Sequence, residues 1–97
     1  MDAQTRNYET IFIVRPDLDE EANRAAVDRF LALIGEHGTV TATDEWGKRR
    51  LAYPIDDFTD GYFVLVNFTA PPSFIAELDR LYNIADEIIR SIVVAKD

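Results

Sequence analysis

The string Trp46-Gly47-Lys48-Arg49-Arg50-Leu51-Ala52-Tyr53 holds the side chains best suited to chemistry in this sequence. Two adjacent arginines suit bidentate contact with phosphate. Trp46 and Tyr53 are close enough in sequence to stack on a base or on a guanidinium. Residues 46–55 contain three bases and no acid, whereas the remaining residues carry seven bases and eighteen acids, a balance of -11. The whole chain of 97 residues has a net charge of -8, which on average repels polyanions. The basic trio is therefore a local feature of an acidic protein. On an edge strand, Arg49 points away from Lys48 and Arg50 unless a bulge at Gly47 re-aims them. Composition by itself favours a simpler role, three charges that guard an exposed edge or pair with acids such as Asp44 and Glu45.

Other chemistries have weaker support. His37 is the sole histidine and stands in Gly35-Glu36-His37-Gly38, which reads as a solvated loop. Ser73 and Ser91 have no base nearby in sequence and no nucleophile elbow around them. Asp56, Asp57 and Asp60 lack the spacing and closing glutamate of a calcium loop, so they read as turn residues. There is no cysteine, hence no disulfide, thiolate zinc site or cysteine nucleophile. No Gly-rich phosphate loop occurs. No catalytic residue, metal, cofactor or small-molecule substrate is expected. No apolar run approaches the ~20 residues of a membrane span, and the mostly polar residues 1–7 show no secretory signal.

These side chains need elements to hold them. The run Ile11-Phe12-Ile13-Val14 predicts a first strand over 8–14, apolar on both faces and stopped by Arg15-Pro16. Asp17, with Glu20 three positions on, predicts a helix N-cap and capping box. Leu18, Ala22, Ala25, Ala26, Phe30, Leu33 and Ile34 then recur at helical spacing, with Gly35 and Gly38 as C-cap positions. Thr39-Val40-Thr41-Ala42-Thr43 predicts a second strand, carried through a bulge at Gly47 into Leu51-Ala52-Tyr53-Pro54-Ile55. Pro54 suggests an edge. Residues 56–61 read as a turn and residues 62–68 as a third strand. Pro71-Pro72 opens a second helix with Phe74, Ile75, Leu78, Leu81 and Tyr82 on its apolar face. Ile88-Ile89 and Ile92-Val93-Val94 form the last strand.

The order β-α-β-β-α-β is the ferredoxin-like split βαβ arrangement, an α+β fold with a four-stranded antiparallel sheet and two helices on one face. One domain spans residues 1–97. Right-handed crossovers place the first and third strands centrally and the second at an edge. Two helices cover only one sheet face, yet strands one, three and four are apolar on both. Ile11, Ile13, Phe63 and Leu65 form one set, and Phe12, Val14, Tyr62, Val64 and Val66 the other. The first set is assigned to the open face as a protein-partner surface. Burial under loops or in a homodimer is the simpler alternative. The same element order occurs in RNA recognition motifs. Asp60-Gly61-Tyr62-Phe63-Val64-Leu65 fits their aromatic signature poorly, with an acid where the base belongs.

Several strings together resemble the bacterial small-subunit ribosomal protein S six family, from Arg6 to about Lys96. They are Arg6-Asn7-Tyr8-Glu9, then Gly47-Lys48-Arg49-Arg50-Leu51-Ala52-Tyr53-Pro54-Ile55, Gly61-Tyr62-Phe63, Glu77-Leu78-Asp79-Arg80, and Asp86 with Arg90 before Ile92-Val93-Val94. The Arg-Arg-Leu-Ala-Tyr-Pro-Ile run is the specific part. The resemblance implies a ferredoxin-like fold and a non-enzymatic, cytoplasmic role in the ribosome. It implies pairing with ribosomal protein S eighteen and binding to the central domain of 16S rRNA during platform assembly. It implies RNA contacts at Arg6, Arg49, Arg50 and Arg90, with Tyr8 and Tyr53 at matching positions, where a role in the core is the alternative. Lys48 and Lys96 join them on charge and proximity. For Arg49 and Arg50 the resemblance reverses the preference for edge protection. Residues 1–5 precede the family's Arg-x-Tyr-Glu opening and are expected to be a flexible extension. With Asp97 last in the sequence, no function of an acidic tail is expected.

Two other classes share this element order. A homodimer closing a pocket between open faces would be an enzyme, with only His37 as a ligand. A ligand-sensing regulatory domain would show a thermal shift with a metabolite. No residue cluster points to either.

Overall fold

A computed structural model describes residues 5–55 and 57–96. The elements are β1 (Arg6–Val14), α1 (Glu20–His37), β2 (Thr39–Ile55), β3 (Phe58–Ala70), α2 (Ser73–Ile84) and β4 (Ile88–Ala95). The sheet order is β2-β3-β1-β4 with every neighbouring pair antiparallel. This is the split βαβ arrangement that the element order implies, with β1 and β3 in the middle. Residues 1–4, most of the expected extension, and Asp56 of the expected turn lie outside the described residues.

Strand alternation divides the side chains into two layers. Tyr8, Phe12 and Val14 on β1, and Val64, Val66, Phe68 and Ala70 on β3, point to the helices and are buried. α1 contributes Ala26, Val27, Phe30 and Ile34, and α2 contributes Phe74, Leu78 and Tyr82. Phe12, Phe30 and Tyr82 form an aromatic triangle with centroids 4.8–5.7 Å apart. The one polar residue buried among them is satisfied. Thr10 Oγ1 donates to the Ile92 carbonyl at 2.8 Å, so the Tyr82 hydroxyl, 3.1 Å away, donates to Thr10. Burial pushes the Tyr82 hydroxyl well above the usual phenol range.

Four boundaries differ from the sequence expectation. The N-cap of α1 is Asp19, not Asp17, and its carboxylate accepts from the Ala22 amide at 2.7 Å. Asp17 is held instead by the Arg15 guanidinium at 2.7 and 3.0 Å. Gly35 lies inside α1, and Gly38 caps it through an amide bond to the Ile34 carbonyl at 2.8 Å. His37 is the last helical residue rather than a loop residue, and its ring stacks on Phe74 at 4.5 Å. β3 begins at Phe58 rather than Tyr62, because Phe58 already pairs with Ile55. Asp57 takes φ +68, a left-handed conformation that aspartate tolerates in short hairpins.

The hairpin outruns its neighbours. Val14, the last residue of β1, pairs with Tyr62, and Tyr62 pairs with Lys48. Beyond that level β2 and β3 continue as a two-stranded arm, and the molecule reaches 46 Å along its long axis. At the sheet's other end, Gly38 passes so close to β3 that a Cβ would run into the Thr69 carbonyl and Ala70. Backbone cannot yield as a side chain can. Gly38→Ala is therefore expected to lower stability by about 3 kcal/mol, read from urea unfolding.

Candidate nucleic-acid interface

The basic trio sits where the arm leaves the sheet. Lys48 pairs with Tyr62, Arg49 with Gly61 and Arg50 with Asp60, and all three bases are exposed. Gly47 has φ +82 and the register shifts between Glu45 and Gly47, so the bulge expected there is present. It inserts Trp46 as the extra residue, with the indole over Phe63 on the helix-free face. After the bulge alternation resumes. Arg49 follows Trp46 onto the helix-free face, its guanidinium 5.4 Å from the indole centroid. Lys48 shares the helix side with Tyr62, and Arg50 opposes Asp60 on that same side. The arm thus presents arginines from both of its faces. Tyr53, further along it, is 61% exposed.

Under the arm's root a polar cluster ties helix to sheet. Glu45 accepts from Arg24 at 2.8 and 3.2 Å and from the Tyr62 hydroxyl at 2.6 Å. The Arg24 bonds, and after them the Tyr62 bond, hold the Glu45 carboxyl below the usual range. The Glu45 carboxylate raises the Tyr62 hydroxyl in turn. A carboxyl lowered in the folded state adds stability above its unfolded value and loses it as pH falls through the folded one. Glu45→Gln is accordingly expected to lower stability at pH 7 and to flatten its dependence on pH from roughly pH 4.5 downward. Denaturant midpoints taken across that range check this.

The other predicted contacts do not join the trio. Arg6 pairs with Ala70 at the far end of β1, eight residues or about 27 Å from Val14. Lys96 lies at that end too, its amide bonded to the Asn7 carbonyl at 2.8 Å and its ammonium to Asn67 Oδ1 at 3.1 Å. Tyr8 is corrected to a core residue. It is 6% exposed and its ring stacks on Phe68, so no face is offered to a base. Arg90 pairs with Ile13 on β4, level with Phe63 and Gly47 across the sheet. It stands three strand spacings, about 14 Å, from the root of the arm.

Between these charges lies the helix-free face. Ile92, Ile11 and Leu65 form one cross-strand row, and Ile13 and Phe63 the next. All four predicted partner-face residues lie on this side of the sheet. Ile13 is only 7% exposed, so it supports the face more than it offers contact. Three contributors were not assigned to it from sequence: Trp46, Ile92 at 49% exposure and Val94 at 47%. The alternation of Ile92 and Val94 with the inward Val93 carries that signal in β4. Glu9, opposite Val94, and Asp44, opposite Leu65, add acids to the same face. Glu20 and Glu21 stand in the first turn of α1, and Glu20 lines a pocket with Lys48 and Tyr62 at the root of the arm.

Comparisons with known proteins agree in pointing to one family. A family model described as ribosomal protein S6 matches residues 7–95. A small ribosomal subunit protein bS6 of Clostridium novyi is 50% identical over 90 residues, covering 92% of this chain and 95% of its own length. The bS6 of Caldanaerobacter subterraneus is 45% identical over 93 residues, covering 95% of this chain and 98% of its own. A crystal structure of 30S ribosomal protein S6 from Thermotoga maritima superposes with a TM-score of 0.90 at 29% identity, covering 96% of this chain and 89% of that one.

Proposed function

The chain belongs to the ribosomal protein S6 family, and on that premise we propose that it binds the central domain of 16S rRNA together with ribosomal protein S eighteen during assembly of the platform. Membership makes it a structural, non-enzymatic component of the cytoplasmic small ribosomal subunit. The observation that carries the finer reading is the pairing of an uncovered apolar sheet face with a basic arm rooted at its border. The face takes the protein partner. The arm and the outlying Arg6, Arg90 and Lys96 take phosphates, with Tyr53 placed to stack on a base.

The charge of -8 supports a division of labour. A protein of this charge gains little from general attraction to RNA. It serves RNA by docking a basic partner and adding a few phosphate contacts that fix orientation. The same charge on a second copy opposes a homodimer through this face.

Hydroxyl-radical footprinting on the protein tests the reading. With S eighteen alone, protection is expected at Trp46, Ile92 and Val94. With the rRNA fragment added, protection extends to Tyr53 and the arm. Protection confined to the helix layer contradicts it.

A further inference from the structure

The single tryptophan of the chain stands where the apolar face meets the basic arm. Its indole has three partners, each from a different group. Phe63 stacks on it with centroids 6.1 Å apart and planes 17° from parallel. Asp44 accepts from its Nε1 at 3.1 Å. The Arg49 guanidinium carbon lies 5.4 Å from its centroid. Phe63 belongs to a central strand and Asp44 to the part of β2 inside the four-stranded sheet, so two of the contacts anchor the ring to the sheet. The third connects it to a cation on the projecting arm.

A guanidinium held over an aromatic ring still has N–H donors to offer an anion. An exposed arginine otherwise loses much rotamer freedom on binding. Restricting it beforehand reduces that loss. The indole is also part of the apolar surface, so a protein seated there would further fix the ring. Any such effect is reciprocal between the two ligands.

We propose that Trp46 is a positioning residue that holds Arg49 ready for phosphate and, as the shared border of face and arm, makes partner docking and RNA binding mutually reinforcing. This inference rests on the RNA and partner reading above. It adds a named residue through which the two sites communicate.

The test measures binding to a central-domain 16S rRNA fragment in the presence of S eighteen. Trp46→Leu is expected to weaken binding about two- to fivefold, the size of an exposed cation–π contact, and Trp46→Phe to retain most of it. A double-mutant cycle separates positioning from general damage. Arg49→Ala should cost less in the Trp46→Leu background than in the wild type. Arg50→Ala, on the arm's other face, should cost the same in both. Equal costs for Arg49→Ala in the two backgrounds overturn the inference. A measurement on the unaltered protein guards against misfolding of a variant. The Arg49 Nε–H proton should show an upfield ring-current shift that grows when S eighteen binds, and a shift-free proton overturns the inference equally. If the wild-type protein with S eighteen fails to retain the RNA, the underlying reading falls and takes this inference with it. Retention with equal Arg49→Ala costs removes the inference alone.

Discussion

Replacing Arg49 and Arg50 together with alanine is expected to weaken binding to the rRNA fragment roughly a hundredfold and to flatten its salt dependence by about two counterions. The first figure takes two charge-assisted contacts at about 1.5 kcal/mol each. The second follows because each neutralised phosphate releases about one counterion. The two arginines leave opposite faces of the arm, so the double variant removes contacts from both sides at once. Both are exposed and lie beyond the end of β1, so little of the fold depends on them. Among the described residues, the Arg49 contact with the Trp46 ring is what the protein itself loses. Thermal unfolding should therefore move little while RNA affinity falls. An unchanged salt slope would show that neither arginine touches phosphate.

Placing a carboxylate on the helix-free face should have a comparable effect on the protein partner. Ile92→Asp puts a charge at the β4 end of the row Ile92, Ile11 and Leu65. At 49% exposure the new side chain reaches water in the free protein, so the fold should persist. In the complex it would be desolvated against an apolar surface with no assigned counter-charge. Such a loss amounts to about 3 kcal/mol or more, over a hundredfold in the affinity for S eighteen. Val93→Asp is the contrasting variant. Val93 packs against the core on the opposite side of the same strand, so that change should unfold the protein rather than dissect binding. Unaltered affinity in Ile92→Asp, measured calorimetrically, would move the partner to another surface.

The elements that proved legible are those whose pattern and packing agree. Ile11-Phe12-Ile13-Val14 is apolar on both faces, and it became a central strand with helices on one side and the uncovered face on the other. Phe74, Leu78 and Tyr82 recur at helical spacing, and they are the buried face of α2. Where the pattern misled, a specific contact explains the difference. Asp17 is the cap its spacing to Glu20 predicts, but the neighbouring Arg15 guanidinium holds its carboxylate and Asp19 caps α1 instead. Thr59, Asp60 and Gly61 carry turn residues' names, yet pairing with the unusually long β2 draws them into β3. His37 stands between glycines and still completes α1, where Phe74 packs against its ring.

The site followed the same division. The Lys48-Arg49-Arg50 string and the alternation of its side chains were readable, because a bulge at glycine is a local feature. That Trp46 could stack on a guanidinium was readable too, but that it also rests on Phe63 was not, since this depends on which strand lies beside the bulge. For Tyr8 the sequence leaves two roles open. Its position in a matching string implied an RNA contact, but alternation along β1 turns it toward Phe68 and the core. Arg6 and Lys96 share a sheet end far from the trio, a separation that only the register reveals.

The most direct measurement is a gel-shift titration on a central-domain 16S rRNA fragment, with and without ribosomal protein S eighteen. Weak binding by this protein alone and tight binding of the pair is the predicted result, and it would give the uncovered face and the basic arm their joint purpose. Absence of binding under both conditions would contradict the account.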